Sequence, residues 1–235
     1  MKNYIGGVIL YDETIKQKTS SGKTIPELIE SFGSIPGIKV DTGAKKLAGS
    51  PDEKVTEGLD GLRERLAEYY KLGARFTKWR AVYNISEKYP SELAIKANAH
   101  ALARYSSLCQ EANIVPIVEP EILMDGEHSI DTSFDVTTEV LDSVFDALSN
   151  LDVYLEGMIL KPNMVLSGYD SKDQASVEEV ADATVTCFQR TVPAAVPGIN
   201  FLSGGLSEEA ASVYLNEMNA APDLPWNVSF SYGCL

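Results

Sequence analysis

Short apolar runs alternate with longer amphipathic stretches along the whole chain. Seven runs are typical of strands: IGGVIL (5–10), GIKV (37–40), RFTKWRAVY (75–83), IVPIVEPEIL (114–123), GMILKPNMV (157–165), INFLSGG (199–205) and NVSFSYG (227–233). Apolar residues three and four apart predict covering helices between them, as in Val55, Leu59, Leu62 and Leu66, or in Val136, Val140, Leu141, Val144 and Leu148. This alternation is typical of βαβ units and a parallel sheet.

Helix start signals support the same order of elements. Ser176 and Glu179 fit a capping box, and Ser207 followed by two glutamates predicts another helix start. No linker or low-complexity segment divides the chain, so residues 1–235 are expected to form a single domain. Seven strands and about six helices favour a TIM-type (β/α) barrel in the α/β class. An open doubly wound sheet would give a similar pattern, but no GxGxxG follows the first strand.

Composition and charge limit which partners and which cellular compartment we expect for the protein. The chain has 235 residues and a formal net charge of −14, which argues against nucleic acid as a general partner. No apolar run is long enough to cross a bilayer and the start lacks a signal-peptide pattern, so we expect a soluble, cytoplasmic protein that does not bind membranes. The three cysteines, Cys109, Cys187 and Cys234, are expected to be reduced thiols.

The two histidines, His100 and His128, are too few and too isolated to predict a zinc site, and no other metal site is expected. His128 lies in the polar segment MDGEHS, which predicts a surface position. The sequence therefore offers its candidate chemistry elsewhere, in lysines and carboxylates.

The segment LEGMILKPNMVLSG places Lys161 between two apolar triplets, residues 158–160 and 164–166. An ammonium that is buried without a partner is driven toward its neutral form, which is a nucleophile. Pro162 follows directly, restricting the lysine to extended backbone and removing a ladder donor. These features predict a nucleophilic lysine near the end of a strand.

Two other predicted strands carry charged pairs. Glu119 and Glu121 flank Pro120 in IVEPEIL, and Lys78 and Arg80 are likewise two residues apart, so each pair shares one face of its strand. Strands of an all-parallel sheet are normally apolar on both faces. Either these residues neutralise each other as internal ion pairs, or they form a site at the carboxyl mouth of a barrel. Taken together, the charges favour a site. Its candidate members are Lys39, Lys78, Arg80, Glu119, Glu121 and Lys161.

The segment INFLSGGLSEE has the pattern of a strand, two glycines and a helix start. Gly204 and Gly205 allow backbone N–H groups to approach an anion, Ser203 adds a hydroxyl, and a helix N-terminus adds partial positive charge. This pattern is typical of a phosphate cradle, which SYG (231–233) would complete from the last strand. The alternative is that the glycines only turn the chain.

The segments GIKVDTGAKKLAGS, KWRAVYNI, IVPIVEPEIL, LEGMILKPNMV, FLSGGLSEE and FSYG, in this order, resemble the class I (Schiff-base) fructose-bisphosphate aldolase family over nearly the whole chain. VEPEIL and LKPNMV are together highly specific. The resemblance implies a (β/α)₈ barrel that needs neither metal nor cofactor. It also implies a phosphorylated sugar as substrate, with glycolytic cleavage of fructose 1,6-bisphosphate to dihydroxyacetone phosphate and glyceraldehyde 3-phosphate.

The resemblance assigns roles to individual positions. Lys161 matches the lysine that forms the Schiff base, and Glu119 matches the carboxylate that acts as acid and base while it forms. The remaining matches are neighbouring catalytic residues, Glu121 and Lys78, and substrate-binding residues, Lys39, Arg80, Ser203, Gly204 and Gly233.

The chain also departs from the family pattern. The family has a leading region with the first barrel strand and a catalytic aspartate, an arginine where this chain has Cys234, and a C-terminal tail with a functional tyrosine. We therefore expect seven of the eight strands, truncation at both ends and reduced activity. One alternative is a truncated barrel that binds partners without turnover, and another is a Schiff-base aldolase for a different phosphosugar. Assembly into a homo-oligomer is left open.

Overall fold

The computed structural model describes residues 4–221 and 224–233 of the chain. Nine strands are present in these residues: β1 (Gly7–Leu10), β2 (Ile35–Lys39), β3 (Gly43–Leu47), β4 (Ser50–Glu57), β5 (Phe76–Tyr83), β6 (Val115–Ile122), β7 (Ile159–Leu160), β8 (Gly198–Phe201) and β9 (Asn227–Phe230). Seven of them form one parallel sheet in the order β1, β2, β5, β6, β7, β8, β9.

Helices fill the connections between these strands. They are α1 (Asp12–Ile15), α2 (Ile25–Ser31), α3 (Leu62–Lys71), α4 (Glu92–Glu111), α5 (Ile130–Asn150), α6 (Val177–Thr191) and α7 (Glu208–Ala220), with a 3₁₀ turn at Leu155–Gly157. Ser176 and Glu179 form the predicted capping box at the start of α6, and Ser207 caps α7 by accepting from the N–H of Ala210. Both predicted helix starts are confirmed.

Sequential parallel strands joined by helices confirm the TIM-type (β/α) fold and its seven strands. All seven predicted strands are present, and the five apolar residues predicted between 136 and 148 all lie on α5. Strands β1 and β9 stand at the two ends of the sheet order, and within the described residues neither pairs with a further strand.

The strand predicted for 157–165 is much shorter in the structure, where only Ile159–Leu160 is assigned to β7. Pairing continues for one more residue because the N–H of Lys161 donates to the carbonyl of Val118 at 2.7 Å. Pro162 then has no N–H to continue the ladder. The proline therefore ends the strand directly after the lysine.

A second, antiparallel pair of strands was missed by the sequence prediction. Strands β3 and β4 form a separate hairpin between β2 and α3. Val55 lies in β4 and Leu59 precedes α3, so the assignment of both to one helix with Leu62 and Leu66 was wrong. The apolar spacing fitted a helical period by coincidence, and Gly58, at φ +131°, separates the strand from the helix.

Core contacts between α4 and the sheet fix the register of β5 relative to β6. Tyr105 of α4 is fully buried, lies 2.8 Å from the hydroxyl of Thr77 in β5 and donates to the carbonyl of Ile117 in β6 at 3.1 Å. Its ring packs on Trp79 with centroids 5.4 Å apart. These contacts hold two adjacent strands in register at the level where the charged residues begin.

The cysteines described by the structure are free thiols. Cys109 and Cys187 are both buried, and burial raises the pKa of the Cys109 thiol to about 12, so it stays protonated at neutral pH. Cys234, which the sequence comparison with the family singled out, lies outside the described residues. None of the described helices is both long and apolar enough to cross a membrane.

Candidate active site

Charged side chains from four neighbouring strands meet toward the carboxyl end of the sheet. Lys39 ends β2 and is in register with Lys78 of β5, while Lys161 follows β7 directly beside Glu119 of β6. Residues in register across parallel strands point to the same face, so these side chains converge. We call the following seven residues the charged cluster: Lys39, Asp41, Lys78, Arg80, Glu119, Glu121 and Lys161.

A carboxylate between two lysines forms the centre of this cluster. The Nζ atom of Lys161 lies 3.0 Å from Oε1 of Glu119, and the Nζ atom of Lys78 lies 3.0 Å from Oε2. The side chains of Lys161 and Glu119 are only 6% and 3% exposed. The structure therefore corrects one premise of the sequence argument, because the buried ammonium is paired rather than isolated.

One oxygen of this central carboxylate keeps its hydrogen-bonding capacity. Oε2 of Glu119 is buried and has an ion-pair contact with Lys78, but it has no hydrogen-bond partner among the described residues. Buried polar atoms are nearly always hydrogen bonded, and exceptions often mark catalytic groups. Oε2 is such an exception within the charged cluster.

The second carboxylate of β6 is used differently. The Nε atom of Arg80 donates to Oε2 of Glu121, and this hydrogen bond raises the pKa of the Arg80 guanidinium above its ordinary value. Arg80 is 44% exposed at the rim, whereas Glu121 is 10% exposed. The pair thus presents a permanent cation outward with its carboxylate behind it.

Asp41, two residues beyond Lys39, was not singled out from the sequence. Its Oδ1 atom accepts from the Nζ of Lys39 at 2.5 Å and from the N–H of Gly43 at 3.1 Å, and its Oδ2 accepts from the N–H of Arg80 at 3.3 Å. The two-residue spacing from Lys39 in GIKVDTG is the same signal that marked the pairs on β5 and β6. It could have identified this residue as well.

Asn163 was also missed, although it lies inside the LKPNMV motif. Its Oδ1 accepts from the N–H of Ile122 at 2.9 Å, and its amide donates to the carbonyl of Met164 at 3.0 Å. The side chain thereby supplies an acceptor for a backbone N–H at the end of β6. This contact ties the chain after Lys161 to the end of the strand that carries Glu119 and Glu121.

The two glycines of INFLSGGLSEE lie in a tight turn beyond β8. The N–H of Leu206 donates to the carbonyl of Ser203 at 2.9 Å, with Gly204 at φ +56° and Gly205 at φ +83°. Helix α7 begins at Glu208 with Ser207 as its N-cap, as predicted, so Leu206 and Ser207 separate its N-terminus from the two glycines. The 203–206 turn offers backbone N–H groups, but not as the first turn of a helix.

Tyr169 connects the 203–206 turn to the rest of the site. Its hydroxyl donates to the carbonyl of Gly204, and its N–H donates to the carbonyl of Met124 at 2.8 Å. Burial, and to a lesser degree the nearby carboxylates of Asp125 and Glu121, raise the pKa of Tyr169. No local motif marks this residue, because its partner lies 35 positions away.

The remaining predicted contact, Gly233, is exposed and lies three residues beyond β9. The chain before it continues the β8–β9 pairing, since the N–H of Ser231 donates to the carbonyl of Phe201 at 2.9 Å. Gly233 and the 203–206 turn therefore follow adjacent strands at the same edge of the sheet.

The prediction that His128 is a surface residue is wrong for its imidazole ring. The residue is half-buried, both ring nitrogens are buried without a hydrogen-bond partner among the described residues, and burial lowers its pKa. Its carbonyl accepts from the N–H of Gly168 at 2.8 Å, which joins the loop after β6 to the loop after β7. Across residues 4–221 and 224–233, no three His, Cys, Asp or Glu side chains are grouped as metal ligands.

The chain as a whole is matched by known proteins. The model of the family "Fructose-bisphosphate aldolase class-I" matches residues 1–234. The chain belongs to the class-I fructose-bisphosphate aldolase family. This membership confirms the resemblance seen in the sequence, and with it the assignment to a family of lyases.

Individual aldolases of the family are similar over almost the entire chain. A probable fructose-bisphosphate aldolase class 1 of Xanthomonas campestris pv. campestris is 59% identical, covering 99% of this chain and 70% of the relative. A non-muscle fructose-bisphosphate aldolase of Lethenteron camtschaticum is 57% identical, covering 97% of this chain and 63% of the relative.

Among solved structures, a Plasmodium falciparum fructose-bisphosphate aldolase, in complex with TRAP and a small-molecule inhibitor, superposes with a TM-score of 0.95 at 51% identity. The superposition covers 97% of this chain and 67% of the Plasmodium chain. The aldolase fold is therefore shared at the level of individual elements.

Proposed function

We propose that this chain cleaves fructose 1,6-bisphosphate reversibly to dihydroxyacetone phosphate and glyceraldehyde 3-phosphate, with Lys161 forming a Schiff base to the substrate ketone. The observation that carries the proposal is the buried ion pair between Lys161 and Glu119, at 3.0 Å, beside a second cation. Transfer of one proton from the ammonium to this carboxylate generates the neutral amine that attacks a carbonyl carbon.

The proposed reaction is balanced by the groups of the charged cluster. The amine of Lys161 adds to the ketone carbon, and Glu119 returns its proton to the departing hydroxyl, so that water leaves and an iminium forms. The carbon–carbon bond then breaks, its electron pair moves into the iminium to give an enamine, and the substrate hydroxyl loses its proton to the ionised Glu119. Protonation of the enamine and hydrolysis of the iminium release the second product and restore the lysine.

The cations of the cluster account for an anionic substrate. Within the described residues, four cations of the charged cluster face three carboxylates, although the whole chain has a net charge of −14. Lys39 and Arg80 are its partly exposed members, so we propose that they contact substrate oxygens, together with Ser203, Gly204 and Gly233 at the other side. Glu121 holds Arg80 in place, and Lys78 stabilises Glu119 as an anion.

We further propose that the reaction proceeds without a metal ion, because the iminium draws the electrons that a Lewis acid would otherwise have to draw. The same proposal places the protein in the cytoplasm, with no role for nucleic acid, and includes association of the chain into a homo-oligomer. Multi-angle light scattering on the purified chain measures the last of these.

Turnover of fructose 1,6-bisphosphate, coupled to reduction of dihydroxyacetone phosphate by NADH, tests the proposed function. We expect turnover that survives EDTA and is abolished by Lys161→Met, which removes the amine at similar volume and leaves Glu119 paired with Lys78. Lys71→Met, at an exposed lysine that ends α3, is the matched control and should retain full activity. A folded protein that binds fructose 1,6-bisphosphate without turnover would instead support the non-catalytic alternative.

A further inference from the structure

The carboxylate of Asp41 is almost completely enclosed at the edge of the charged cluster. Its side chain is 2% exposed, whereas the side chain of its partner Lys39 is 24% exposed. The Nζ atom of Lys39 donates both to Oδ1 of Asp41, at 2.5 Å, and to the backbone carbonyl of Asp41, at 3.0 Å. Two of the three N–H donors of the Lys39 ammonium are therefore occupied by Asp41, and the third can donate to a molecule in the site.

The carboxylate of Asp41 continues the hydrogen bonding between β2 and β5 beyond the point where their backbone pairing ends. Strands β2 and β5 pair through residue 39, the N–H of Val40 still donates to the carbonyl of Lys78 at 3.2 Å, and the N–H of Arg80 then donates to Oδ2 of Asp41 at 3.3 Å. Asp41 is thus fixed relative to β5, the strand that carries two other cations of the cluster.

The segment around Asp41 is held in turn by the β3–β4 hairpin and α3. Thr42 donates its N–H to the carbonyl of Glu57 at 2.9 Å, and Arg65 donates to the carbonyls of Val40, at 2.9 Å, and Gly58. A Cβ atom at Gly58 would lie 3.1 Å from the Cα of Asp41, and Gly58 has φ +131°, so another residue would be strained there and would have to shift its neighbours. Packing from three elements thereby determines where the carboxylate lies.

We propose that Asp41 is a positioning residue for substrate binding, whose buried carboxylate fixes the ammonium of Lys39 toward the phosphorylated sugar. The inference rests on the proposed function, because it assumes that Lys39 faces an anionic substrate. Asp41 itself is too enclosed to touch the substrate, so it acts through the lysine. A phosphate group bound by a preoriented ammonium does not have to compensate for the lost side-chain entropy of a free lysine.

A purely structural role for Asp41 is separable from this one. The bond from the N–H of Gly43 to Oδ1 is a local turn that an asparagine also makes. Asp41→Asn therefore keeps the turn through its amide oxygen and removes the charge that holds Lys39, but its NH₂ group cannot accept from the N–H of Arg80. Lys39→Arg is the conservative companion, because a guanidinium can pair with the carboxylate and still present a cation.

The first measurement needs no substrate. Ammonium protons of a lysine held in an ion pair exchange slowly enough to be seen in ¹H–¹⁵N NMR spectra, and Lys39→Met assigns the signal of Lys39. We expect this signal in the wild-type chain and its loss in Asp41→Asn. Persistence of the signal in a folded Asp41→Asn variant would overturn the proposal.

The second measurement is the affinity for fructose 1,6-bisphosphate, determined by calorimetry in the Lys161→Met background so that no turnover interferes. Asp41→Asn and Lys39→Met should each weaken binding by about tenfold, as expected for one charge-assisted hydrogen bond. Combined, they should weaken it no more than Lys39→Met alone, and Lys39→Arg should restore part of the affinity.

Additive losses in the double variant, or unchanged affinity in Asp41→Asn, would overturn the proposal. If Asp41→Asn fails to fold, Lys39→Met and Lys39→Arg still decide whether the held ammonium serves binding, since equal affinity in Lys39→Met contradicts it. Failure of the proposed function appears separately, as absence of substrate binding in the parent protein, and overturns the positioning role with it.

Discussion

The charged cluster and the 203–206 turn serve the same proposed substrate but are built in opposite ways. In the cluster, side chains on paired strands are held by one another, and Lys161 and Glu119 are almost fully buried. The turn lies beyond the end of β8, near the strand that stands last in the sheet order, and Gly205 within it is exposed. The turn is held by the hydrogen bond from the N–H of Leu206 to the carbonyl of Ser203 and by that from the hydroxyl of Tyr169 to the carbonyl of Gly204.

This difference assigns different tasks to the two regions. Proton transfer requires atoms to be held within hydrogen-bond reach, which buried strands provide. Holding a phosphate group requires only several N–H groups with some freedom to adjust. Changes at the buried centre of the cluster, Lys161 and Glu119, should therefore affect the rate of chemistry, and changes in the turn should affect the apparent affinity.

Among substitutions that keep Lys161, the largest effect is expected from Glu119→Gln, which removes the proton-transfer group and keeps its size. Schiff-base formation should slow by roughly 10² to 10⁴, measured as the rate of borohydride-trapped adduct with dihydroxyacetone phosphate. The substitution also leaves Lys78 and Lys161 without their shared carboxylate, so we expect unfolding to require about 3–5 kcal/mol less free energy.

Glu53→Gln is the matched control for this substitution. Glu53 is equally buried, at 4%, and although burial alone would raise its pKa, hydrogen bonds from Ser91 and Ser50 lower the pKa below its ordinary value. It lies outside the charged cluster, so its loss should reduce stability without slowing the chemistry. A change of less than about threefold for Glu119→Gln would leave Glu119 as an ion-pair partner only, since acid–base catalysis is worth far more.

A smaller effect is expected from Gly204→Ala in the turn. Alanine at φ +56° is strained by about 1–2 kcal/mol, and its Cβ would lie 3.0 Å from a methyl group of Leu202. The turn should shift, raising KM for fructose 1,6-bisphosphate by about three- to tenfold while kcat changes little.

Gly22→Ala places an alanine at φ +84° in the turn between α1 and α2, where its Cβ meets no neighbour within 4 Å. It controls for the conformational strain alone and should leave KM unchanged. Equal KM values for Gly204→Ala and wild type would mean that the turn does not bind the substrate, and a fall in kcat alone would assign it to the chemical step instead.

Site residues could be predicted from the sequence where they lie close together along the chain. Strand geometry alone predicts that Lys161, before Pro162, lies near a strand end, and that Glu119 and Glu121 share one face of a strand. In the structure both glutamates lie on β6, and Glu119 pairs with Lys161. The hairpin β3–β4 was missed because Val55 fell on a helical spacing by coincidence.

Other contacts could not be predicted because they join distant parts of the chain. The hydrogen bond from Tyr169 to Gly204 depends on how two loops approach each other in three dimensions, and so does that from Arg80 to Asp41. No periodicity or local motif reports such contacts. The sequence placed Lys161 and Glu119 at one site but did not predict their ion pair, since 42 positions separate the two residues.

The central claim is that Lys161 is the nucleophile, and covalent trapping tests it most directly. The wild-type chain is incubated with dihydroxyacetone phosphate and sodium borohydride, digested, and mapped by mass spectrometry. We predict one three-carbon phosphorylated adduct per chain, on Lys161, and none in Lys161→Met. An adduct on Lys39 or Lys78, or no adduct at all in the folded wild-type protein, would contradict the account.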